Sequence, residues 1–182
     1  MNILAFGAST SSTSINQRLA AYTASLIPQG HVTLLDLNDF EMPIYSEDRQ
    51  VNDGIPPEAH TFRDHLRAAD GVIVSFSEHN GVYTAAFKNI MDWNSVIEGK
   101  AWQNKPFLLM ATSPGSRGGS TILDIAVAKW PYMGAEIAAS FSLPFFNKNF
   151  DESTGITDQE LKTQHEKAVQ ALVKAIPVLA DE

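Results

Sequence analysis

Asn2-Ile3-Leu4-Ala5-Phe6-Gly7-Ala8-Ser9-Thr10-Ser11-Ser12-Thr13-Ser14-Ile15-Asn16 runs from an apolar strand pattern, through six consecutive hydroxyl residues, into an amphipathic pattern. The order strand, small polar loop, helix is how open α/β proteins hold a phosphate, because the free N–H groups and dipole of the following helix face the anion. After Gly7 the loop has no glycine and no basic side chain. It therefore matches neither G-x-G-x-x-G nor the lysine-bearing P-loop. What remains is a cradle of hydroxyls and backbone amides suited to a small phosphate monoester. A solvated turn with a capping serine is the plainer alternative, but it needs one hydroxyl rather than six.

Outward from this stretch, strand patterns recur at His31–Asp36, Gly71–Phe76, Lys105–Thr112 and Glu136–Ser142, after the first at Asn2–Gly7. Four of the five are short apolar runs rather than strict alternations, as parallel strands covered on both faces require. Helical patterns fall between and after them at Ser14–Leu26, Glu58–Ala69, Tyr83–Val96, Ser120–Tyr132 and Thr157–Leu179. This alternation predicts a doubly wound, three-layer α/β sandwich with one parallel five-stranded sheet. No repeat, low-complexity tract or linker divides the chain, so residues 1–182 are expected to form a single domain. Ser14-Ile15-Asn16-Gln17 reads as a capping box, with the Gln17 side chain reaching back to the cap. Pro56-Pro57 precedes the second helix, where missing N–H groups cost least. The Pro-containing connection Asn38–Pro57 is too long for a tight turn and is expected to be functional or interface-forming. The charged amphipathic stretch Asp158–Lys174 reads as the outer cover of the edge strand and carries no chemistry.

Composition narrows the function. Hydrophobic residues make up 44% and aromatics 9%, with no cysteine and a formal charge of -8. The acidic balance argues against a nucleic-acid partner, which needs a basic patch. The absence of cysteine removes thiol nucleophiles, disulfides and iron–sulfur ligation. Apolar runs such as Phe107-Leu108-Leu109-Met110-Ala111 are too short to cross a bilayer. With no export signal visible, a cytoplasmic protein without a membrane partner is expected.

Ligands of open α/β sheets bind beyond the carboxyl ends of the strands, near the reversal of strand order. The loops leaving the first, third and fourth strands therefore share one rim. The second of these is Ser77-Glu78-His79-Asn80-Gly81-Val82-Tyr83, and the third is Thr112-Ser113-Pro114-Gly115-Ser116-Arg117-Gly118-Gly119-Ser120. Taken singly, Asn80-Gly81 is a common turn dipeptide, and Ser113-Pro114-Gly115 is compatible with a type II turn. Three small, polar loops on one rim, one of them a phosphate cradle, point instead to a bound nucleotide or flavin.

These residues carry a family resemblance. The chain resembles the NADPH-dependent FMN reductases of the flavodoxin-like fold, a group that also holds chromate, quinone and azo-dye reductases. Ser9, Ser14 and Asn16 match the serine-rich first loop with its Ser-x-Asn. Ser77-Glu78-His79-Asn80 followed by Phe87-Lys88-Asn89-Ile90-Met91-Asp92-Trp93 stands where that family has Pro-Glu-Tyr-Asn and Leu-Lys-Asn-x-x-Asp-Trp. Ser113 through Gly119 fits Ser-Pro-Gly-x-x-Gly-Gly at every specified position. The departures are the family's arginine, which falls at Ser11, its proline and tyrosine, replaced by Ser77 and His79, and Val82-Tyr83-Thr84-Ala85 in place of Ser-x-Pro-Gly.

The resemblance implies a flavodoxin-like sheet of order 2-1-3-4-5 and an FMN site on Ser9, Ser11, Ser14, Ile15 and Asn16 from the first loop. The second loop would add Ser77, Glu78, His79, Asn80 and Gly81, and the third Ser113, Pro114, Gly115, Gly118 and Gly119. Hydroxyls, the Asn16 side chain and the helix end would hold the phosphate, with Arg18 one turn away. N–H groups near Asn80 and Gly118-Gly119 would address the flavin's polar edge. It further implies hydride transfer from NADPH through FMN to free flavin, a quinone or a similar flat acceptor. No metal and no catalytic side chain are required, and His79 is the candidate to modulate flavin protonation. Neither Glu78-His79-Asn80 nor Pro114–Gly119 contains an aromatic residue to cover the ring, which favours two-electron transfer over the alternative, a flavodoxin-like electron carrier. A receiver-type signalling domain would need an acidic cluster that Phe6-Gly7-Ala8 and Ser75-Phe76-Ser77 lack. Lys88 and Asp92 are placed for a surface ion pair. The family's subunit packing and Trp93 on that helix lead to an expected homodimer or homotetramer, with Asn38–Pro57 reaching a neighbour's acceptor site.

Overall fold

The computed structural model describes residues 1–28 and 30–177. Five parallel strands form the main sheet: β1 (Asn2–Ala8), β2 (His31–Leu34), β3 (Gly71–Phe76), β6 (Lys105–Thr112) and β7 (Ala135–Leu143). Their order is β2-β1-β3-β6-β7, which is the flavodoxin-like 2-1-3-4-5 arrangement of the sequence reading. The reversal of strand order lies between β1 and β3, at the carboxyl ends that carry the first two loops.

Side-chain alternation divides the core in two. Leu4, Phe6, Val72, Val74, Phe76, Phe107 and Leu109 face one layer, built from α3 (Pro57–Ala68), α4 (Ala85–Ser95) and α5 (Ser120–Lys129). Ile3, Ala5, Ile73, Leu108 and Met110 face the other, built from α1 (Ile15–Ser25) and α7 (Gln159–Ala175). Every residue of β3 is buried, which explains why its sequence is a continuous apolar run. α7 packs on β7 and β6, so it covers the edge as its charge pattern indicates. Leu179, the end expected for this helix, lies outside the described residues.

Several boundaries differ for local reasons. β2 stops at Leu34 rather than Asp36, because Asp36 instead caps a short 3-10 helix at Leu37–Phe40, accepting the Asn38 N–H at 2.9 Å. α4 begins at Ala85 rather than Tyr83, capped by the Thr84 hydroxyl. α5 ends at Lys129, and Trp130–Met133 tightens into a 3-10 turn around Pro131, which cannot continue the α-helical ladder. The long connection Asn38–Pro57 contains α2 (Glu47–Asp53). Three small elements add to this plan: the hairpin β4 (Glu78–His79) with β5 (Val82–Tyr83), of which the sequence marks only the Asn80-Gly81 turn, the one-turn α6 (Phe146–Asn149), and the hairpin β8 (Phe150–Asp151) with β9 (Gly155–Ile156).

One polar group inside the first layer is structural. Arg63 is wholly buried, and its guanidinium donates to the Asn94 side chain at 2.7 Å and to carbonyls of Asn94, Ile97 and Lys100. A cation here meets the negative end of α4 and satisfies carbonyls that the helix leaves unpaired.

Candidate functional site

The first loop folds back on itself through its own hydroxyls. Ser9 Oγ accepts the Ser11 N–H at 3.1 Å, Ser11 Oγ accepts the Thr13 N–H at 3.4 Å, and Ser14 Oγ caps α1 by accepting the Gln17 N–H at 3.1 Å. Each of these oxygens thereby acts as an acceptor, and Ser11 Oγ also lies 3.4 Å from Thr13 Oγ1, where either hydroxyl can donate. The N–H groups of Thr10, Ser12, Ile15 and Asn16 make no hydrogen bond among the described residues. These free N–H groups lie in and just after the loop, at the positive end of α1, where an anion is favoured.

Gly7 makes this possible. A Cβ there would lie 2.4 Å from Gln17 N, so only glycine lets the strand end and the helix start meet. The Gln17 side chain does not return to its own cap, as a capping box would have it. Its Oε1 accepts the Gly7 N–H at 2.6 Å and its Nε2 donates to Leu35 O at 2.9 Å, tying β1 to the end of β2.

Asn16 also departs from its expected role. Its side chain, 2% exposed, donates through Nδ2 to Ser77 Oγ and Thr112 O, both at 3.1 Å. Its Oδ1 accepts from Ser75 Oγ at 2.7 Å and from Thr112 N at 3.0 Å. These four bonds fill the amide's capacity, so what Asn16 has to offer an anion is its main-chain N–H. The side chain knots all three rim loops together. Arg18 is turned elsewhere, its guanidinium paired with Glu152 and 4.8 Å from the Phe146 ring centroid.

The second loop is the β4–β5 hairpin. Asn80 and Gly81, both at positive φ (52° and 81°), form its two-residue turn, the Asn-Gly geometry whose twist matches paired strands. Ser77 and Gly81 are half-buried, whereas His79 and Asn80 are exposed. The Glu78 carboxylate accepts the Ile122 N–H in the first turn of α5 at 3.2 Å. The Tyr83 hydroxyl accepts from Trp130 Nε1 at 2.9 Å, and its ring packs edge-on against Phe76 and Phe87. Burial raises the Tyr83 phenol above its ordinary pKa, against the smaller opposite pull of the Trp130 hydrogen bond.

In the third loop, Ser113 is half-buried and Pro114 through Arg117 are exposed, while Gly118 and Gly119 are buried. The last two have φ of 56° and 73°. A Cβ on Gly118 would meet Ser142 Oγ at 2.4 Å and Pro144 N at 2.8 Å, and one on Gly119 would meet Ala111 Cβ at 2.9 Å. Packing against β6 and β7 by itself therefore requires glycine at both positions. The loop's unused N–H groups at the exposed surface are those of Gly115, Ser116 and Arg117. Sequence reasoning overlooked Phe145, which joins this loop by donating its N–H to Gly115 O at 2.9 Å. It is 45% exposed with φ of 50°, a costly conformation for a large side chain. No signal in the sequence marks it, since it leaves the fifth strand rather than the fourth.

Between the first two loops lies a cavity of about 460 Å³, walled by Ser9, Thr10, Ser11, His79, Ala85 and Ala86. Thr10 and Ala86 separate it from a second, of about 280 Å³, bounded by Asn38, Phe40, Met42 and Asn89. The Asn38–Pro57 connection is fastened to its own chain. Asn89 accepts the Tyr45 N–H and donates to the Met42 and Pro43 carbonyls, and Trp93 Nε1 donates to Pro43 O at 2.7 Å. Trp93 is 1% exposed, so its burial is met within one chain and no longer argues for a partner copy. Lys88 and Asp92 do form the expected exposed ion pair at 2.6 Å.

Residues 1–147 match the model of the family described as NADPH-dependent FMN reductase. The chain belongs to that family. Among curated FMN-reductase relatives, a quinone reductase of Pseudomonas putida is 33% identical over 109 residues, covering 58% of this chain and 56% of that protein. The chain spans 43% to 64% of the length of these curated relatives. Among solved structures, a flavoenzyme NAD(P)H:(acceptor) oxidoreductase (FerB) from Paracoccus denitrificans aligns with a TM-score of 0.77 at 21% identity, covering 96% of each chain. A flavodoxin from Pseudomonas aeruginosa aligns at 0.60 with 12% identity, over 95% of this chain and 99% of that one. At these identities both show the shared fold. The FMN-reductase motifs recognised in the sequence are the three loops described above. No helix among the described residues is long and apolar enough to cross a membrane, and no group of three or more His, Cys, Asp or Glu among them could hold a metal ion.

Proposed function

We propose that the protein is an NAD(P)H-dependent oxidoreductase that binds FMN on this rim and passes hydride from NADPH or NADH to free flavin, a quinone or a similar flat acceptor. The observation that carries the reading is a first loop whose Thr10, Ser12, Ile15 and Asn16 N–H groups make no hydrogen bond among the described residues, beside a cavity lined by Ser9, Thr10 and Ser11, in a chain of the FMN reductase family. Residues and ligand fit. The Thr10, Ser12, Ile15 and Asn16 N–H groups and the Ser9, Ser11 and Ser14 hydroxyls supply neutral donors for one phosphate, at a helix end worth about half a positive charge. Among the described residues no second loop of this kind is available for a dinucleotide's further phosphate, which favours FMN over FAD.

The flavin, when bound, supplies the ring that accepts and returns hydride. The chain's own part is to grip, orient and polarise. Tip N–H groups of Asn80 and Gly81, with those of Gly115 to Arg117, are the donors toward the ring's polar edge, where negative charge develops on reduction. Ser77, Glu78, Ser113 and Pro114 shape the two loops rather than meet the ring, and Gly118 and Gly119 let the third loop close. His79, exposed on the cavity wall, is the protonatable side chain beside the ring. Tyr83 is bonded to Trp130 and does not line the cavity, so it would leave room beside a bound flavin for nicotinamide and then acceptor to stack. Association of copies belongs to the same proposal, with Ile44 and Val51, each 76% exposed, as the apolar surface it would cover.

The test is steady-state oxidation of NADPH and of NADH by purified protein with added FMN, with and without a quinone. FMN-dependent oxidation that the quinone accelerates is the expected result. No oxidation of either nucleotide under any of these conditions would contradict the reading.

A further inference from the structure

We infer that Glu78 is a positioning residue, whose carboxylate fastens the ligand-facing hairpin to the start of α5 and so aligns the tip N–H groups with the loop after β6. The inference rests on the FMN reading of this rim and assigns to Glu78 a role other than contact with the flavin.

α5 begins without a cap of its own. Its cap position is Gly119, which has no side chain to accept a hydrogen bond, and its first turn contains no acidic residue. Helix starts ordinarily recruit an oxygen for the N–H groups of the first turn and favour negative charge there. Here the oxygen arrives from 44 residues earlier, as Glu78 Oε2 on Ile122 N at 3.2 Å. The half-buried carboxylate is therefore already engaged by protein.

The hairpin needs such support. Its strands are two residues each, too short to be stable alone. Beyond the Asn16 Nδ2–Ser77 Oγ bond at its entry, three bonds hold its root to three places. Glu78 reaches the start of α5. Tyr83, directly opposite Glu78 in the register, meets Trp130 just beyond the other end of that helix. Thr84 Oγ1 donates to Ala8 O at 3.0 Å, where the first loop begins. The tip has no comparable restraint: His79 and Asn80 are exposed, and the nearest outside atom to a Cβ on Gly81 would be Thr121 Cγ2 at 4.0 Å. Of the three pins, Glu78 alone joins the second rim loop to the helix that the third rim loop leads into. Removing it leaves Ile122 N–H unpaired and frees the tip to shift relative to the N–H groups of Gly115 to Arg117.

The test compares Glu78→Ala and Glu78→Gln with the unsubstituted protein, by FMN titration and by amide hydrogen exchange of the flavin-free protein. Glu78→Ala is expected to raise the FMN dissociation constant about tenfold and to speed exchange at Ile122, Asn80 and Gly81, whereas Glu78→Gln, whose amide oxygen accepts the same N–H, stays within about threefold on both. Three results would overturn the inference: unchanged FMN affinity in Glu78→Ala alongside lost stability, which marks a helix cap only; equal loss in both variants, which marks the charge rather than the bond; or exchange at the tip that does not respond. Should the unsubstituted protein take up no FMN, the functional reading fails, and the exchange comparison alone decides whether Glu78 pins the hairpin.

Discussion

Asn16 is a motif residue whose destination the sequence does not reveal. Ser-x-Asn was legible as part of a phosphate loop, yet the side chain serves Ser75, Ser77 and Thr112, 59 to 96 positions away. Spacing along the chain cannot expose such partners. His165 is silent in the sequence for the same reason. It sits on α7 with no exposed surface, its ring stacked on Tyr22 and edge-on to Phe141. Thr23 Oγ1 donates to Leu19 O at 2.8 Å, so the 2.8 Å contact from His165 Nε2 is best satisfied with the ring nitrogen as donor. Nδ1 then has no partner among the described residues, and a proton added there would find no acceptor among them. Burial lowers its pKa from 6.5 to about 4. The unfolded chain therefore takes up the proton first as pH falls. The stability contributed by neutral His165 is complete above about pH 6.5 and declines through the window down to about 4, costing roughly 2 kcal/mol between pH 7 and pH 5. Urea unfolding at these two pH values should show that decline in the unsubstituted protein and a smaller one in His165→Leu. Equal declines would mean that His165 is not the group responsible.

At the scale of elements, the sheet was readable and the rim only partly so. β1, β3 and β6 are buried on both faces, and their continuous apolar runs announce it. The hairpin at Glu78–Tyr83 was not readable as a hairpin, because two-residue strands leave no alternation to detect, although Asn80-Gly81 marks its turn. α5 was drawn too long because Trp130-Pro131-Tyr132-Met133 continues its apolar character after its ladder has ended. The third loop's glycines are visible in the sequence, but the packing that requires two of them is not, because Ser142 and Pro144 lie more than twenty residues further on. Gly118 needs a positive φ and has Ser142 and Pro144 against it, so Gly118→Val is expected to lower stability by about 1–3 kcal/mol. Gly115→Ala is the matched comparison, since its Cβ would meet nothing nearer than Ser113 Oγ at 3.9 Å, and its stability should stay near the original. Thermal unfolding of the two variants checks this. A Gly118→Val protein as stable as the unsubstituted one would show that the loop can open without cost.

Over the whole molecule, the acidic balance of -8 and the neutral first loop mean that the proposed phosphate would be held by N–H groups, hydroxyls and a helix end rather than by a lysine or arginine from that loop. Arg18, the nearest basic residue in sequence, is committed to Glu152 and Phe146. Such a grip is directional, and it recognises the phosphate by geometry more than by charge. The most direct measurement is therefore a titration of the flavin-free protein with FMN, riboflavin and FAD, followed by flavin fluorescence. The account predicts saturation at one FMN per chain, with riboflavin, which lacks the phosphate, binding more weakly. Absence of saturable FMN binding, or equal affinity for FMN and riboflavin, would contradict it.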